Sequence, residues 1–139
     1  DKILNPVTII SPRALFSKHA TIGKGNIIEA FAKIMNGVKV GNHCMIESYT
    51  AVNHDQIIGS NTFIGNNVSM AGKKIGKNCI IGDGSTIGYK VIIGSNCIVN
   101  QGSVINTNLK NNVIAYGQPL KIIKNSHNFL KIIKAIKNR

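Results

Sequence analysis

The chain has 139 residues, which suits one domain with a continuous core. Seventeen Lys and Arg stand against five acids, a formal net charge of +12 that fits either a solvated basic surface or the attraction of polyanionic ligands. Few aromatics, no tryptophan and no recognisable reading module argue against nucleic acid as a partner, and no apolar run approaches the roughly 18 residues of a membrane span.

The dominant signal is a six-residue period. Apolar residues recur at Leu4, Ile10, Phe16 and onward to Met70, then, one residue early, from Ile75 to Ile105. Neither a helical stripe nor simple alternation produces this spacing. Short strands joined by tight corners do, with glycine and asparagine taking corner conformations that other residues resist. Four residues after most anchors comes something small or β-branched, such as Ala32, Thr50 or Ser85. Cys44, Cys79 and Cys97 fall in that same slot, so they are expected to be reduced core filler rather than metal ligands.

In chain order, residues 1–21 form an opening coil with Pro6 and Pro12 at corners or an edge. His19 falls in a corner slot and is expected to be exposed. From Ile22 to Ile46 the repeat is regular, Asn36-Gly37 reads as a tight corner, and His43 sits at an outward corner without a carboxylate neighbour. The residue before each anchor points outward. On one face these are Ile9, Ile27, Met45, Phe63, Ile80 and Ile98, an apolar line expected to be buried against other subunits in a closed threefold ring. A second line, from Leu15 and Lys33 to Val104, is mixed, and a third carries Thr21, Lys39, Ile57, Ile92 and Lys110.

The stretch from His54 to Gly72 holds the only histidine directly followed by a carboxylate and ends in the shortened hexad. After Ile105 the pattern frays. A division into a repeat domain, 1–112, and a C-terminal segment, 113–139, follows from this. The tail places Phe129, Leu130, Ile132, Ile133 and Ile136 on one face of an amphipathic helix and Lys131, Lys134 and Lys137 on the other. That helix is expected to pack across the repeat or onto a neighbouring subunit, with peripheral membrane contact as the alternative.

The repeat resembles that of the hexapeptide acyltransferases. This implies an all-β fold, a left-handed parallel β-helix of triangular section with about six coils, roughly 29 Å long at the usual strand spacing. The hand comes from the resemblance alone, because the general rule for parallel crossovers predicts the opposite one. Val113 to Lys121, with Gly117-Gln118-Pro119-Leu120-Lys121, is similar to the Gly-x-Pro-Ala-Lys ending of hexapeptide acetyltransferases. Asn53-His54-Asp55-Gln56-Ile57-Ile58-Gly59, followed by Met70-Ala71-Gly72, looks like the His-Asp/Glu-Cys-x-Ile-Gly and Leu-Ala-Gly segments of the sialic-acid O-acetyltransferase and nucleotide-4-amino-sugar N-acetyltransferase family.

The resemblance implies an acetyl-CoA-dependent acetyltransferase, bacterial and cytoplasmic, acting on an amino or hydroxyl group of a nucleotide-linked sugar for a surface glycan. His54 is then the general base. Asp55 would orient it, and Gly72 would offer its N–H to the developing oxyanion. Coenzyme A would lie between subunits with its phosphates near Lys73, Lys74, Lys77 and Lys90. The chain departs from the family at Glu47, commonly asparagine, and at Phe63, which replaces a second histidine; both are candidates for the acceptor pocket. Relatives often carry an N-terminal nucleotide-binding βαβ domain, and no Gly-rich strand-to-helix turn precedes the repeat here, so either the chain is a truncation or the prism alone holds the acceptor. Three readings stay open beside this one: a longer-chain acyltransferase, a non-catalytic trimeric scaffold or glycan-binding module, and a zinc carbonic anhydrase, which would need converging histidines.

Overall fold

A computed structural model describes residues 5–124. Leu4 and the amphipathic tail from Phe129 onward lie outside those residues. Between Ile9 and Ile105 the chain forms seventeen strands of two residues each, and these assemble with two later strands into three sheets of eight, six and five strands. The three sheets are the walls of a triangular prism, a left-handed parallel β-helix of about 6 turns. Each strand pairs in parallel with the strand one coil away, as in Ile27↔Met45, Lys33↔Ala51 and Lys39↔Ile57.

The hand escapes the usual crossover rule because that rule depends on twisted strands feeding helices. Here two-residue strands feed corners. The corners carry ten non-glycine residues in the left-handed region: Asn61, Asn67, Asn78, Asn96, Asn112, His43 and Asp55, residue types that tolerate it, and Phe31, Tyr49 and Lys90, which do not. The rings of Phe31 and Tyr49 stack with centroids 5.0 Å apart, so two aromatic residues in an unfavourable backbone conformation support one another across adjacent coils.

The anchors from Ile28 to Ile105 fill the prism, nearly all of them completely buried. The slot four residues later is also inward. Its occupants donate to the carbonyl that begins a corner of the next coil: Thr50 Oγ1 to Gly65 O, Thr62 Oγ1 to Gly76 O, Cys44 Sγ to Gly59 O and Cys79 Sγ to Gly94 O. Small polar residues therefore satisfy corner carbonyls that the sheets leave unpaired. The three cysteines are free and buried, as the spacing predicts.

Two details differ from the sequence reading. The shortened hexad after Met70 has a counterpart, because Leu109 pairs with Ile93 only four positions after Ile105, and the period resumes with Ala115, which pairs with Val99. The repeat does not end at Ile105; it drops two residues at a corner and continues. Lys110 consequently leaves the third outward line, where Asn108 stands instead with its Oδ1 accepting from Ile92 N–H. Val113–Tyr116 joins the first sheet beside Ile98–Val99, and Lys121–Lys124 returns antiparallel to it.

Candidate active site

The corners between the second and third sheets ordinarily hold four residues, as with Asn53–Gln56 between Val52 and Ile57. In the coil above, Met70 and Lys74 are joined by three, Ala71, Gly72 and Lys73. Losing one residue draws this corner inward relative to those below and above it. The result is a notch of about 750 Å³, bounded by His54 and Asp55 below, Gly72 and Lys73 at the recessed corner, and Tyr89 and Lys90 above.

The recess also explains Gln56. In this coil the position equivalent to the inward slot belongs to Lys73, which is exposed. The slot is therefore left without a side chain of its own. Gln56, one coil below and almost completely buried, supplies the missing volume and donates its Nε2–H to the Met70 carbonyl. The shorter Thr and Cys at the other corners donate to a different carbonyl, that of the residue after the anchor.

His54 and Asp55 are held by the corner itself. Asp55 lies in the left-handed region at φ 60°, and its N–H donates to Asn36 O at 2.9 Å. Its Oδ2 stands 3.0 Å from His54 Nδ1. With the proton on Nδ1 and donated to Asp55, the Nε2 lone pair remains available to accept one. Both side chains are largely exposed, 76% and 79%. Gly72 is buried, and a Cβ there would meet Ile87 Cγ2 and Val91 O, each at 3.0 Å. Ala71 N–H donates to Ile87 O and Lys73 N–H to Val91 O, whereas no backbone acceptor among the described residues takes the Gly72 N–H. An imidazole whose Nδ1 faces a carboxylate and a backbone N–H with no backbone acceptor among the described residues thus line one notch.

Of the residues expected at a site, His54, Asp55, Gly72, Lys73 and Lys90 come together here. Lys74 does not; it stands on the outer face of the third sheet between Ile57 and Ile92. Glu47 and Phe63 are elsewhere in the same chain. Phe63 is on the outer ridge of the first sheet, and Glu47 is at the corner that follows that sheet, its carboxylate accepting from Asn66 Nδ2 at 2.7 Å. Burial first, then Asp83 and Glu29, raise the Glu47 carboxyl above its ordinary value, with Asn66 opposing. His19 shares the His54 corner, its carbonyl accepting from Gly37 N–H, while His43 is on another corner, where its backbone N–H donates to Lys24 O. Nothing in the sequence marks Tyr89. It belongs to no motif, and only the stacking of coils puts it above the recessed corner.

The family pattern for bacterial transferase hexapeptide (six repeats) matches residues 19–54 and 72–107, the second block beginning within the shortened corner. The chain belongs to the bacterial hexapeptide-repeat transferases. Among solved structures, this hexapeptide-repeat chain is similar to a mutant of perosamine N-acetyltransferase from Caulobacter crescentus in complex with CoA and GDP-perosamine. The two share 28% identity over 87% of this chain and 58% of that one, with a TM-score of 0.84. The acetyltransferase domain of PglB from Neisseria gonorrhoeae, in complex with acetyl coenzyme A, shows the same fold at 24% identity, 86% and 58% coverage, and a TM-score of 0.83. An N-acyltransferase from Bacillus cereus in complex with dTDP and coenzyme A does so at 22% identity, 96% and 90% coverage, and a TM-score of 0.68. The chain thus spans 58% of the length of the first two. No curated protein matches it by sequence.

Proposed function

We propose that this chain is an acetyl-CoA-dependent acetyltransferase that modifies an amino or hydroxyl group of a sugar, carried on a nucleotide and bound for a bacterial surface glycan. One observation carries the reading: Gly72, whose N–H has no hydrogen-bond partner among the described residues, lines the same notch as His54, whose Nδ1 is engaged by Asp55. The acceptor's nitrogen or oxygen attacks the thioester carbonyl carbon while His54 Nε2 takes its proton. Gly72 N–H donates to the developing oxyanion and Asp55 stabilises the imidazolium. As the C–S bond breaks, the thiolate of coenzyme A leaves and collects that proton. Attack is direct, because the chain's three cysteines are buried fillers of the prism and offer no nucleophile beside His54. The 28% identity to a perosamine N-acetyltransferase supports a sugar acceptor.

Lys73 and Lys90 draw the coenzyme's phosphates, with Lys74 and Lys77 on the adjacent coil surface. The working form is a homotrimer in the cytoplasm, closed through the first sheet's outer ridge. Phe63 and Glu47, remote from His54 within one chain, would reach an acceptor only across a subunit boundary. Thiol release from acetyl-CoA, measured with UDP-, GDP- and dTDP-amino sugars and sialic acids, tests the reading. His54→Ala should cost about 10²-fold or more in a folded protein. Undiminished turnover in that variant would refute His54 as the base.

A further inference from the structure

Corner side chains on this prism rise one coil at a time, roughly 4.8 Å per step. Between the second and third sheets, Asn36, His54 and Tyr89 belong to one such line, with Gly72 as the rung between His54 and Tyr89. Because Gly72 has no side chain and its corner is recessed, the imidazole and the phenol ring flank a gap of two steps, roughly 9.5 Å, where every other pair is separated by one. Tyr89 is 75% exposed, and the Lys90 ammonium stands 5.1 Å from its ring centroid. A large, flat, exposed ring held by a cation at the mouth of a notch is a surface for packing against a ligand.

We propose that Tyr89 is a positioning residue that packs against the arm of the acyl donor next to the thioester. This rests on the acyl-transfer reading above and extends it to a residue that neither the family pattern nor any motif singles out. The argument is one of reach. A thioester carbonyl held by Gly72 N–H leaves only the sulfur and the nearest amide of the arm within one coil of the reacting carbon. The adenine lies the whole arm's length away. By the same reach the phosphates lie beyond both neighbours: Tyr89 meets the uncharged arm, while Lys90, its ammonium 5.1 Å from the ring centroid, draws the charged end only across a distance.

The test is calorimetric binding to the full chain of three probes: acetyl-CoA, S-acetylpantetheine, which keeps the arm without the nucleotide, and 3′,5′-ADP, which keeps the nucleotide without the arm. Tyr89→Ala should weaken acetyl-CoA and S-acetylpantetheine by about the same factor, on the order of tenfold, and leave 3′,5′-ADP unchanged. Tyr89→Phe, which keeps the ring, should recover most of that loss. The proposal is overturned if Tyr89→Ala loses 3′,5′-ADP instead, which would make the ring an adenine platform, or if S-acetylpantetheine binds the variant as well as the parent or binds neither. Binding in the expected pattern without acetyl transfer to any sugar would leave Tyr89 where it is placed and refute the sugar acetyltransferase reading.

Discussion

The carboxylate of Asp55 occupies the space that a side chain on Gly37 would need: a Cβ built on Gly37 collides with Asp55 Oδ1. Gly37 lies one coil below, in the left-handed region at φ 71°. Its bareness thus serves two ends, permitting the turn and letting Asp55 fold down beside His54. Gly37→Ala should cost about 1–2 kcal/mol through backbone strain. It should also reduce acetyl transfer, because Asp55 must move off the geometry that holds the imidazole. Thermal denaturation and steady-state kinetics on the same preparation check this. Equal activity per folded molecule would show that Asp55 needs no such seat.

Gln56 ties the recess to the core. Gln56→Ala should remove the donor to Met70 O and open a void under the shortened corner, destabilising by about 2–4 kcal/mol. Thr50→Ala, at an ordinary slot, loses one hydroxyl to Gly65 O and should cost less, about 1–2 kcal/mol. Equilibrium unfolding of the two variants side by side decides whether the notch depends on this one amide.

The outer ridge from Ile9 to Ile98 is a continuous register of paired residues, and it runs on through Ile114 to Ile123. Ile9, Ile27, Ile80 and Ile123 are exposed in the single chain. Sedimentation should give about three times the 15.0 kDa of one chain. Ile27→Lys with Ile80→Lys should yield a folded monomer, since both side chains point away from the prism interior. A wild-type monomer would refute the ring.

Glu47 offers a test by pH. Its folded carboxyl is raised above 4.5, so the group favours folding below that value and its contribution is lost as pH rises through the raised one. At neutral pH the ionised side chain therefore disfavours the fold. Glu47→Gln, which keeps an acceptor for Asn66, should stabilise the protein at pH 7 by about 0.5 kcal/mol or less and give no gain below pH 4.5. Melting temperatures at the two pH values check the sign.

The sequence by itself determined the architecture, because a six-residue period is a local property repeated along the chain. Up to Ile105 the anchors, the small inward residues and the outward ridge positions follow from counting, and the register Ile27↔Met45↔Phe63 is the one that counting predicts. Counting also marked the recessed corner, since a missing residue shifts every later anchor. Where it stopped was after Ile105, where two residues drop out together and Leu109 resumes the stack without a nearby repeat to reveal it. The tertiary structure alone decided which side chains share the notch. His54, Gly72 and Tyr89 are separated by about a coil each in sequence and meet only because coils stack, while Glu47, closer to His54 along the chain, stands on another corner of the prism. In a solenoid, neighbours in space are set by coil length, and one deleted residue is enough to choose them.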